Sequence, residues 1–144
     1  MDCDRMGGNH MPYYFPNEMD THHGLANPHQ SIQQVAGEFM KAGVVTKPEG
    51  SGPPLHSHPN EEQFTYILTG ELHYILGEEE RIVKAGDMIH IPRNTKHRSR
   101  AINGEATFFT VKSPPGDTGH LDEDYNKADD AEEREATFPG TKKG

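Results

Sequence analysis

Between residues 32 and 112, apolar and polar positions alternate in short runs. These are IQQVAGEFMKAGVVT (32–46), QFTYILTG (63–70), ELHYILG (71–77), ERIVKAGDMIHIP (80–92), HRSRAIN (97–103) and ATFFTVK (106–112). Alternation puts successive side chains on opposite faces of a strand, and Val, Ile, Tyr, Phe and Thr suit a pleated, half-buried surface. Turn residues punctuate the runs at Gly50–Gly52, Gly70, Gly77, Gly86, Pro92–Asn94 and Asn103–Gly104. The rhythm predicts an all-β sandwich or small barrel. No stretch of helical period separates the strands, which argues against a βαβ architecture.

The flanks read differently. Residues 1–31 carry Met, Pro, Asn and four histidines (His10, His22, His23, His29) in no regular period, and are expected to form an irregular arm. Residues 113–144 open with SPPGD and hold nine acids against four bases from 117 onward, with Leu121, Tyr125 and Phe138 among few apolar residues. That composition predicts an acidic C-terminal tail, either solvated or docked as a short helix or strand on the barrel or a neighbouring subunit. The expected organisation is an arm (1–31), a β-barrel (32–112) and a tail (113–144).

With 144 residues the chain has the length of one domain. Fourteen basic and 23 acidic residues give a formal charge of −9, so the chain lacks the cationic surplus that nucleic acid or an anionic membrane surface demands. No apolar run is long enough for a membrane span, and the N-terminus MDCDRMGGNHMPYYF lacks the apolar region of a signal peptide. One cysteine, Cys3, excludes an internal disulfide framework and a thiolate metal site. A reducing, cytoplasmic setting is expected.

Ten histidines are many for this length, and two stretches concentrate the chemistry. In GSGPPLHSHPNEEQFTYILTG (50–70), His56 and His58 sit two apart and share a strand face. After the turn-prone Pro59–Asn60, either Glu62 or Gln63 returns beside them, and strand parity lets only one of the two face inward. In GDMIHIPRNTKH (86–97), a strand ends at Pro92, turns and delivers His97. Neutral imidazoles with an oxygen donor suit one divalent transition metal: Zn, Ni, Fe or Mn. Hydrogen-bonded histidine on a β-sheet is the plain alternative.

These spacings resemble the two motifs of the cupin superfamily, G-x5-H-x-H-x(3,4)-E-x6-G and G-x5-P-x-G-x2-H-x3-N. Gly50, His56, His58 and Gly70 fit the first, with Gln63 at the carboxylate position. Gly86, Pro92 and His97 fit the second, while Asn94 replaces its glycine and Ala101 its last asparagine. Asn adopts a left-handed turn more readily than most residues, so the first change is mild. The resemblance covers roughly residues 36–112 and implies a double-stranded β-helix, the jelly-roll barrel of cupins. It implies metal ligands at His56, His58, Gln63 and His97, with Glu62 in place of Gln63 or a three-histidine site as alternatives. Uronate-converting and polyketide-cyclising cupins also use glutamine there.

A neutral glutamine leaves the ion's charge uncompensated, which favours Lewis-acid work. The expected function is a metal-dependent enzyme acting on a small oxygen-rich organic substrate without redox change, as an isomerase, lyase or cyclase. An Fe(II) dioxygenase and a non-catalytic metal- or sugar-binding module are the alternatives. His90 is the expected acid/base residue, and Thr65, Ile67 and Arg98 are expected to line the substrate pocket. Glu61 and Glu62 read as solvated turn charges. The apolar Phe64, Tyr66 and Leu68 share a strand face that suits homodimer formation.

Overall fold

The computed structural model describes residues 12–136; Cys3, His10 and Phe138 lie outside them. Among these residues nine strands are formed: β1 (His22–His23), β2 (Ser31–Ala36), β3 (Lys41–Lys47), β4 (His56–Ser57), β5 (Glu62–Leu76), β6 (Glu79–Lys84), β7 (Met88–Ile91), β8 (His97–Ser113) and β9 (Asn126–Lys127). One short helix, α1 (Ala131–Ala136), follows them. The all-β prediction holds, with every paired strand antiparallel. No described helix is long and apolar enough to cross a membrane.

Two long strands organise the molecule, each read from sequence as two short ones. QFTYILTG and ELHYILG fuse into β5, and HRSRAIN and ATFFTVK fuse into β8. Among the described residues all nine strands join in one curled sheet, and the two halves of each long strand have different neighbours in it. The second half of β8 pairs with β3 and the first half of β5, which also holds β7; β2 extends this sheet beyond β3. The first half of β8 pairs with β4 and the second half of β5, which holds β6. The pairing of β5 with β8 shifts register between Ile67 and Thr69 and again between Thr69 and Glu71, and Gly70 lies within the second shift. Its φ of +83° and the Glu105 backbone oxygen, which lies where a Cβ would clash, require glycine there.

The shifts also change side-chain parity. Gln63, Thr65 and Ile67 are buried before them, and Leu72 and Tyr74 continue the inner face after them. The core on the inner face of the curled sheet joins Ile32, Val45, Ile67, Leu72, Tyr74, Ile91 and Phe108. Phe64, Tyr66 and Leu68 point outward and are exposed.

The acidic segment docks on the barrel through its described residues. Leu121 is buried in the main core, and Ala128 and Ala131 pack with Leu55 and Ile75 in a second, smaller cluster. β9 pairs with β4, and Glu135 accepts from the Leu55 amide at 2.9 Å. Of the two states left open by the sequence, the docked one is formed. Leu121, Tyr125 and two small alanines suffice because the barrel supplies the opposing surface.

Candidate functional site

His56 lies on β4 and His97 begins β8, and the two are direct partners in the sheet. His58 follows β4 by one residue on the same face. The second motif's turn delivers His97: Asn94 adopts φ +60°, the left-handed conformation its glycine position demands, and its N–H donates to His58 O at 2.8 Å. The turns carrying His58 and His97 are thereby tied together.

The three rings gather at centroid separations of 4.4–5.0 Å, and one nitrogen of each lies within 4.8 Å of the others. All three are buried. Each Nδ1 meets a backbone carbonyl: Pro54 O for His56 at 2.6 Å, Thr95 O for His97 at 2.9 Å, and Asp124 O for His58. A carbonyl only accepts, so each Nδ1 is protonated and each Nε2 keeps its lone pair, as a metal ligand requires. Burial, reinforced by neighbouring cations and histidines, pushes His58 down to about 2, His97 down to about 3, and His56 well below its ordinary value. The rings are therefore neutral at pH 7.

Gln63 faces the same cavity, whereas Glu62 points outward to His90. The Gln63 amide nitrogen donates to Thr110 Oγ1 at 2.7 Å and Thr65 Oγ1 at 3.2 Å. Its Oε1 is buried and accepts no hydrogen bond among the described residues. Leaving such an oxygen unmatched costs stability, and a cation is a fitting partner for it. Three convergent imidazole lone pairs and an orphaned amide oxygen fit one divalent ion.

A family model described as the cupin domain matches residues 43–112. An uncharacterised protein of Methanocaldococcus jannaschii is 36% identical over 88 residues, covering 60% of this chain and 69% of its own. The chain belongs to the cupin superfamily. Among solved structures, this cupin is similar to KdgF from Halomonas sp., with TM-score 0.67 and 21% identity over 74% of this chain and 96% of that one. It is also similar to the polyketide cyclase RemF from Streptomyces resistomycificus, with TM-score 0.67 and 14% identity over 91% of this chain and 96% of that one. A third is a predicted oxalate decarboxylase from Thermotoga maritima, with TM-score 0.62 and 19% identity over 69% of this chain and 96% of that one. At these identities the likeness is one of fold.

The other residues singled out from sequence fall in different places. Thr65 is buried and supports Gln63 through its hydroxyl, and Ile67 belongs to the core. Arg98 is fully buried but, by strand parity, on the face of β8 opposite His97, 3.9 Å from Glu135. None of Thr65, Ile67 and Arg98 lines the cavity that holds the histidines. His90 lies on the outer face, stacked on Phe64 at 4.4 Å and 2.7 Å from Glu62 Oε2, so the structure does not bring it to the histidines. Glu61, read as a solvated charge, is buried against Lys41 Nζ at 2.8 Å.

Three charged residues of the cavity, Lys47, Lys112 and Asp122, were not singled out from the sequence. The signal for the lysines was present. On β3 the buried set is Lys41, Gly43, Val45 and Lys47, and Lys112 opposes Gln63 in register. Tyr125 was passed over as well; it stacks on His56 at 4.9 Å.

Proposed function

We propose that this cupin is a metal-dependent enzyme for a small, oxygen-rich organic substrate, working without redox change. His56, His58, His97 and Gln63 would hold one divalent ion: Zn, Ni, Fe or Mn. The observation that carries the reading is the convergence of three Nε2 lone pairs and the orphaned Gln63 Oε1 on one buried cavity. Such an ion supplies Lewis acidity, polarising a carbonyl or hydroxyl oxygen and stabilising negative charge that builds on it.

The chain's own residues do the positioning. Pro54, Thr95 and Asp124 carbonyls hold the tautomers, and Thr65 and Thr110 turn the Gln63 oxygen away from themselves. All four donors are neutral, so none reduces the ion's charge, which supports polarisation over electron transfer. The cavity is small, ≈ 50 Å³, where a water needs about 10–15 Å³. Only the reacting end of a substrate fits inside. A cytoplasmic homodimer is part of this reading, the dimer joined through the outward apolar face of β5.

The test is substrate loss from a panel of small hydroxy- and oxo-acids, with dissolved oxygen recorded. The expected result is metal-dependent conversion with no oxygen consumed. Oxygen uptake in step with substrate loss would replace this reading with a dioxygenase.

A further inference from the structure

Among the described residues three lysines are buried: Lys41, Lys47 and Lys112. Lys41 is neutralised, with Glu61 Oε2 at 2.8 Å and Glu123 Oε2 at 3.4 Å. The other two are not. Lys47 Nζ donates to Ser99 O at 3.0 Å and Ser99 Oγ at 2.8 Å. Lys112 Nζ donates to Leu121 O and lies 3.3 Å from His58 Nε2. Among the described residues, neither has a carboxylate within ion-pair distance. Both line the cavity that holds the histidines. Asp122, the one carboxylate there, already accepts from the Leu25 amide and Gln30 Nε2, each at 3.1 Å.

Burying an ammonium without a counter-charge is expensive, and a fold that does so twice around one cavity leaves that cavity in need of an anion. We propose that the cavity binds a small organic carboxylate, with Lys47 and Lys112 as the groups that hold its charge. Each lysine has three N–H donors. Lys47 spends two on Ser99 and has one left. Lys112 gives one to Leu121 and one to the His58 lone pair; that lone pair can serve Lys112 or a metal ion, not both. With an ion on His58, Lys112 has a further donor for the ligand. The inference deepens the proposed function by naming the substrate class, and rests on it only for the position of the reacting end. The charge argument stands on the lysines.

The experiment is isothermal titration at pH 6, below the value of about 7 to which burial lowers Lys47, of malonate and its neutral diamide, malonamide, into zinc-loaded and metal-free protein. Lys47→Met and Lys112→Met are run beside the wild type. Malonate is expected to bind at least about tenfold tighter than malonamide in both forms. Each substitution should weaken malonate about tenfold and leave malonamide unchanged, because charge-assisted hydrogen bonds are roughly twice as strong as neutral ones. Equal binding of the two ligands to metal-free wild type, or malonate binding that survives both substitutions, would overturn the inference. The wild-type comparison decides it even if a variant fails to fold. Protein that takes up no zinc refutes the metal reading instead, and the metal-free titration still tests the lysines.

Discussion

Gln63 is the residue on which the chemistry turns. A neutral amide oxygen binds a cation more weakly than imidazole nitrogen binds a transition metal, so Gln63→Ala should weaken metal binding less than His58→Ala. Gln63→Glu keeps the shape and adds a carboxylate, so it should retain metal. The added negative charge lowers the ion's power to polarise, and turnover should fall by about tenfold or more, about 1.4 kcal/mol of transition-state stabilisation. Undiminished turnover in metal-replete Gln63→Glu would sink the Lewis-acid reading. Lys47 gives a test that needs no substrate. Burial, the largest cause, with Arg98, Arg100 and Lys112 adding to it against Asp122, lowers Lys47 to about 7 from its ordinary 10.5. Between those values the unfolded chain holds the proton and the folded one has lost it, so raising the pH stabilises the fold. The unfolding free energy of metal-free protein in urea should rise from about pH 7 to pH 10, and Lys47→Met should reduce that rise. An unchanged slope would show that Lys47 is not the group responsible.

At the scale of elements, the acidic segment carries more than its composition suggests. Leu121 is 1% exposed and fills the core beside Gly43, whose missing side chain leaves the room it occupies. Leu121→Ala should therefore cost about 2–5 kcal/mol in denaturant unfolding, as other buried leucines do. A loss below about 0.5 kcal/mol would be the mark of a solvated tail. The same segment reaches the site through Asp124 O on His58 Nδ1 and Tyr125 on His56. Its docking could not be read from its own pattern, because the apolar surface that holds it belongs to Leu55 and Ile75. The long strands were legible in composition but not in continuity. Gly70 and Asn103–Gly104 signal a break, and only the pairing partners show that each strand goes on through it. The motif turns were legible in full: Gly50, Gly86 and Asn94 all take positive φ. His90 shows the limit of local reading, since its parity on β7 puts it opposite Phe64 on the outer face.

Over the whole molecule, the outward face of β5 presents Phe64, Tyr66 and Leu68 beside Met88 and Phe109, all at least 40% exposed. A contiguous apolar surface of this kind suits an interface, and the dimer proposed above should give twice the chain mass by light scattering at micromolar concentration. Tyr66→Lys should shift it to the monomer; a wild-type monomer would remove the proposal. The proposed metal centre lies among buried residues, where His56, His58 and His97 meet. His22 and His23 lie exposed on the arm. The most direct measurement is the metal content of purified protein and its histidine variants by elemental analysis. The account predicts about one divalent ion per chain in wild type, His22→Ala and His23→Ala, and loss of most of it in His58→Ala and His97→Ala. Metal that follows the arm histidines and ignores the barrel ones would contradict it.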